Sequence, residues 1–105
     1  MVHRHESRAL FGQDCKLAVL IAIARLPSGK FDLTDLLPGP DYASRFHKAL
    51  QDLTEAQVLR KLPKEGRSQP YERVDSRVWG WAREYDDFLS SALASARPGA
   101  GSAQL

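Results

Sequence analysis

Four side chains able to bond base edges or phosphate oxygens fall within five consecutive positions: Ser44, Arg45, His47 and Lys48. Arginine and lysine present donors that suit the O6 and N7 acceptors of guanine, while serine and histidine serve bases or phosphate. Further on, Lys64 and Arg67 flank Gly66 in the stretch 63–70, which holds no large apolar side chain. Cations at the tip of such a loop meet phosphates, which adds affinity without sequence information. The chemistry implied is recognition of a polyanion. Bond-making chemistry has no counterpart in the chain: there is no Gly-rich phosphate loop, no metal-ligand pattern and no Cys or Ser nucleophile set beside a base. The chain is therefore expected to be no enzyme and to need no cofactor or metal.

The candidate residues need a helix and a hairpin to present them. Residues 42–55 predict that helix, with Asp41 as its cap and Phe46, Ala49, Leu50 and Leu53 as one apolar stripe. Tyr42 and Phe46 stand one turn apart and can stack along it. Ser44, Arg45, His47, Lys48, Gln51 and Asp52 fall off the stripe. The first turns of a groove-inserted helix carry its base readers, which singles out Ser44, Arg45, His47 and Lys48; otherwise they are the wet face of a surface helix. Val58–Leu62 and Tyr71–Val74 alternate apolar and polar residues, so they predict two strands of a hairpin around the Pro63–Pro70 loop.

Upstream, a buried helix is expected from Cys15 to Leu26, capped by Asp14 and apolar on most sides. Pro27, Ser28 and Gly29 end it. Lys30 and Phe31 predict a very short strand. Asp32 then caps a third short helix through Leu37, with Asp35 in the capping-box position. Pro38, Gly39 and Pro40 stop it, because neither proline can donate a helical hydrogen bond. A short polar helix is expected before Gly12. Its His3 and His5 form an HxH pair, which near a frayed chain end reads as a flexible terminus rather than a metal site. Cys15 is open to two readings, a thiolate at a helix N-terminus or a small packing residue, and packing is favoured.

Asp75 or Ser76 should cap a last helix over residues 77–96. Its positions Val78, Trp81, Ala82, Tyr85, Phe88, Leu89, Ala92 and Leu93 recur at three and four. A domain this small has little core to cover so wide an aromatic face. A second subunit is therefore expected on it, through Leu10, Phe11, Trp81, Tyr85, Phe88 and Leu89. Simple core packing, or a small-molecule pocket around Trp79, Trp81 and Tyr85, are the other readings. Residues 97–105, rich in Gly, Ala and Ser, are expected to be a disordered tail.

A chain of 105 residues with 43% hydrophobic and 27% charged residues suits one domain, here residues 1–96. The longest apolar run, Leu17–Ala24, spans eight residues and falls well short of the roughly 18 needed to cross a membrane. The polar start MVHRHESRA has no signal-peptide character, and the single cysteine fits a reducing cytoplasm. Net charge is only +2, but its distribution is uneven. Between residues 42 and 77, eight Lys or Arg face five acids, an excess of +3, whereas residues 30–41 carry −2. The positive excess sits on the helix and hairpin that would touch a duplex.

Several segments together resemble the ArsR-type winged-helix transcription regulators, over about residues 8–90. Leu10-Phe11-Gly12 followed by Lys16-Leu17 is similar to that family's opening segment. Phe31-Asp32-Leu33-Thr34-Asp35-Leu36 resembles its strand and following helix. Leu50 and Leu53 through Ala56 resemble the end of its recognition helix, and Gly66-Arg67 with Tyr71 resembles its wing. Three features depart from the pattern. Gln57 stands where a glycine is usual, the Pro38-Gly39-Pro40 turn is short, and the sensor cysteine pair of metal-responsive members is absent.

The resemblance implies an α+β, mostly α, winged helix-turn-helix with about five helices and a two-stranded β-hairpin wing. It implies a cytoplasmic homodimer that binds double-stranded DNA and regulates transcription, as a repressor, with an unidentified effector or protein partner left open. The alternative is a winged helix used for protein–protein interaction without DNA binding, motivated by the near-neutral charge and by Asp52 and Glu55.

Overall fold

Helix α2 (Lys16–Arg25) buries seven of its ten residues, Leu17, Ala18, Val19, Leu20, Ile21, Ile23 and Ala24, so it is apolar almost all round and lies at the centre. The protein, seen in a computed structural model, is described over residues 2–36 and 39–95. Around α2 run α1 (Arg4–Phe11), β1 (Lys30–Phe31), 3-10 turns at Leu33–Asp35 and Pro40–Tyr42, α3 (Ala43–Glu55), β2 (Leu59–Lys61), β3 (Tyr71–Arg73) and α4 (Arg77–Ser95). The architecture is α+β and mostly helical. Among the described residues there are four α-helices, not about five. The stretch after Asp32 makes only a 3-10 turn. Its capping box does form, with Asp32 accepting from Thr34 N–H and Asp35 accepting from Asp32 N–H. The expected end of that element at Leu37-Pro38, Ala96 of the last helix and the tail 97–105 lie outside the described residues.

The sheet has three antiparallel strands in the order β1-β3-β2, rather than the two strands of the expected hairpin. Lys30-Phe31, expected as a strand, adds to the free edge of β3 with Phe31 opposite Tyr71, and their rings stack 6.0 Å apart. Leu59 lies opposite Arg73 and Lys61 opposite Tyr71 on the other edge. The hairpin loop closes tightly through Glu65 and Ser68, with Gly66 at φ 61°.

Helix α2 has almost no polar side chain of its own, so its terminal N–H and C=O groups depend on other elements. Asp14 does not cap it. Its carboxylate is taken by Arg4 and Arg8, which hold its pKa below the usual value. Ser7 of α1 takes the role instead: its fully buried hydroxyl accepts from Leu17 N–H at 3.0 Å and donates to the Gln13 carbonyl. At the other end, Arg73 Nη1 donates to the carbonyls of Ile23 and Leu26, at 2.7 and 3.1 Å, and Arg83 donates to that of Ala24. His3, near the start of the chain, is likewise pinned rather than frayed. Its side chain, 4% exposed, bonds Asp86 at 2.8 Å, and Arg25 bonds both Asp86 and Asp87.

Helix α3 buries Phe46, Ala49, Leu50 and Leu53, as their spacing predicts, and Tyr42 lies 6.2 Å from Phe46. Asp41 does not cap it. It falls inside the preceding 3-10 turn, one residue early, and the N-cap position is Tyr42, without a side-chain bond. At its other end Gln57 takes φ 66°, the left-handed conformation that a glycine holds without strain. Ser76 starts α4 by accepting from Val78 N–H at 3.2 Å. Trp79 is buried and donates its indole N–H to the Val74 carbonyl at 2.9 Å, which removes it from any pocket shared with Trp81.

Two stability outcomes follow. Ser7→Ala strands a buried N–H at the start of α2 and should cost about 1–3 kcal/mol in urea unfolding; an unchanged midpoint would show that the N–H finds another partner. Gln57→Gly relieves the left-handed strain, and should raise the unfolding free energy by up to about 1 kcal/mol after the entropy that glycine adds to the unfolded chain. A lower midpoint for this variant would mean that the glutamine side chain contributes more than its backbone costs.

Candidate nucleic-acid interface

The buried stripe of α3 fixes what the opposite side presents. Ser44, Lys48, Gln51 and Glu55 point most directly away from the core, and all four are exposed. Arg45 and Asp52 occupy one flank, and His47 and Thr54 the other. The candidate residues Ser44, Arg45, His47 and Lys48 therefore share one solvent-facing surface. Lys64 and Arg67 are exposed in the β2–β3 loop.

Three shallow depressions link these residues. One lies between the start of α2 and the start of α3, lined by Gln13, Asp14, Cys15, Ser44, Arg45 and Lys48. A second brings His47, Lys48 and Gln51 together with Lys61 of β2. The third places His47 beside Arg67, Ser68 and Gln69 of the hairpin loop. Lys48 belongs to the first two and His47 to the last two, so the depressions follow the exposed side of α3 from the helical end toward the sheet.

Gln51 and Lys61 belong to this surface and were not among the expected site residues. Gln51 had a signal, since it lies almost directly opposite the buried stripe. Lys61 had a misleading one. Strand alternation puts it on the same face as buried Leu59, but it stands at the end of β2 where the core stops, and it is exposed.

The charges on this surface are unevenly satisfied. Lys48 pairs with Asp52 four residues on, Nζ to Oδ1 at 2.8 Å. The other oxygen of Asp52 accepts from Lys16 at 2.8 Å and Gln13 at 3.3 Å. The bonds to Lys16 and then Lys48 hold the Asp52 carboxyl far below the usual range, and Asp52 raises the pKa of Lys48. In contrast, among the described residues Arg45, Lys61, Lys64 and Arg67 form no ion pair, and neither do Arg77 and Arg83 of α4, while the exposed cations Arg4, Arg8, Arg25 and Arg60 do. Among the described residues His47 bonds only Gln51, at 3.2 Å.

Cys15 is a packing residue. It is 4% exposed, its thiol donates to the Arg45 carbonyl at 3.7 Å, and burial pushes its pKa up, away from a reactive thiolate. Among the described residues no three His, Cys, Asp or Glu side chains are placed to hold a metal ion, and no helix is long and apolar enough to cross a membrane.

The residues expected at a subunit contact form a second surface, on α1 and α4. Phe11 meets Trp81 edge-on at 6.4 Å, Trp81 stacks on Tyr85 at 5.2 Å, and Tyr85 stacks on Phe88 at 6.3 Å. Phe88 is 64% exposed, Leu10 52% and Trp81 38%, while Phe11, Tyr85 and Leu89 are partly buried against the core.

Because its folded-state pKa is depressed, Asp52 contributes stability that is present above the ordinary carboxylate value of about 3.9 and lost as pH falls through the lower folded value. Between about pH 4 and pH 2 the parent should therefore lose more unfolding free energy than Asp52→Asn. Parallel acid profiles for the two would show that the Lys16 and Lys48 bonds add nothing net. Set against protein-family models, curated proteins and solved structures, the chain matches none.

Proposed function

We propose that this protein is a winged helix-turn-helix DNA-binding regulator, with α3 as the recognition helix and the β2–β3 hairpin as the wing. One observation carries the reading. Arg45, Lys61, Lys64 and Arg67 are cations without a carboxylate partner among the described residues, and they sit on α3 and the adjoining hairpin. Cations left unneutralised on neighbouring elements are what a phosphate backbone rewards through counterion release. The polar surface of α3, with Ser44, Arg45, His47, Lys48 and Gln51, supplies the donors for base edges in the major groove. Arg67 beside His47, together with Lys64, suits the flanking phosphates.

The aromatic row on α1 and α4 supports a homodimer, because exposed apolar patches of this kind mark association surfaces. Regulation of transcription, and repression by occupying a promoter, come from the resemblance to the ArsR-type regulators. Asp52 and Glu55 on the same helix favour the second reading, a winged helix that binds another protein instead of DNA.

Selection of bound duplexes from a random pool tests the proposal. An enriched inverted repeat, with half-sites about one helical turn or roughly 34 Å apart, is expected. On that duplex Arg45→Ala should cost about 1–3 kcal/mol and relax the preference at one position. Arg67→Ala should weaken all duplexes alike and lower the salt slope by about one unit. If no duplex is enriched and no salt-dependent binding occurs, the protein-interaction reading replaces this one.

A further inference from the structure

We infer that Asp52 is a positioning residue for the exposed side of α3, holding Lys48 against the helix so that it discriminates between sequences instead of attracting any phosphate. The inference rests on the DNA-binding reading of that surface. Its basis is how the two carboxylate oxygens are used. Oδ2 takes Lys16 and Gln13, which ties α3 to the start of α2; the Lys16 side chain is only 15% exposed. That tie needs one oxygen. The other, Oδ1, is given to Lys48, which is 62% exposed and lies on the outward side of α3.

Helix stability is a weak reason for this second bond. On an isolated helix the more favourable order places the acid N-terminal to the lysine, and here the lysine comes first. A lysine held by a carboxylate has lost part of its pull on the phosphate backbone, and its long flexible stem keeps a narrower range of positions. Asp52 thus lowers sequence-independent attraction and holds the ammonium toward the flank of α3 that Arg45 and Asp52 share. Arg45, one turn before and without such a partner, has no comparable restraint.

The test measures binding of the full chain to a duplex enriched by selection, and to a scrambled duplex of equal length, across a salt series. Asp52→Asn should bind the scrambled duplex roughly tenfold tighter and steepen its salt slope by about one unit. The preference for the selected duplex should shrink roughly tenfold. In a Lys48→Ala background the same Asp52→Asn change should leave the preference unaltered, because discrimination runs through Lys48, while the lost negative charge still tightens binding to the scrambled duplex. Lys48→Ala alone should reduce the preference, and this variant decides the matter if Asp52→Asn does not fold. An unchanged preference in Lys48→Ala, or an equal effect of Asp52→Asn on the preference with and without Lys48, overturns the role and leaves Asp52 as a tie between α2 and α3. A parent chain that binds neither duplex in a salt-dependent way sinks the DNA-binding reading itself, and this role with it.

Discussion

The ends of α2 cannot satisfy themselves. The helix is built from Leu, Ala, Val and Ile between one lysine and one arginine, and seven of its ten residues are buried. Every orphaned N–H and C=O must find a partner in another element or remain costly. Ser7 from α1 serves one end, and Arg73 from β3 and Arg83 from α4 serve the other. Three separate parts of the chain are thereby registered against one helix by directional bonds, on top of the non-directional burial that brings them together. Arg73 is the most constrained of these partners. Its backbone N–H donates to the Gly29 carbonyl, it pairs with Leu59 across the sheet, and its guanidinium reaches α2. The sheet cannot slide relative to α2 without stranding carbonyls, so the hairpin stays in a fixed relation to the core on which α3 also packs.

What could be read from the chain in advance was local. The Phe46, Ala49, Leu50 and Leu53 stripe depends only on helical periodicity, and those four residues are the buried ones. The Asp32 and Asp35 capping box and the Ser76 start of α4 each follow from residues within a few positions of one another. What could not be read was competition between elements. Asp14 is a good cap by local rule, but two arginines of the preceding helix compete for it and win. Lys30-Phe31 was legible as a strand and illegible as the third member of the sheet, because its partner lies some forty residues on. His3, near the chain start, finds Asp86 in the last helix.

The candidate site shows the same division. Which side chains leave the stripe of α3 was visible in sequence, whereas which of them keep their charge free was not. A net charge of +2 gives no hint that carboxylates pair with Arg4, Arg8 and Arg25 while, among the described residues, Arg45, Lys61, Lys64 and Arg67 of α3 and the hairpin have no ion-pair partner. Lys48 counts as a cation in any sum of residues, but geometry gives it half of a shared carboxylate. Electrostatic character here belongs to pairings across elements, and pairings are a property of the fold.

The two tryptophans, Trp79 and Trp81, stand two positions apart on one helix and face opposite environments. The first is sealed in the core with its indole donating to a carbonyl, and the second lies open between Phe11 and Tyr85. Intrinsic fluorescence is consequently a two-channel signal. The shorter-wavelength component tracks whether the core is intact, and the longer-wavelength component tracks whatever covers or uncovers the aromatic row. Denaturation and association thus leave separate spectral marks without any label being added.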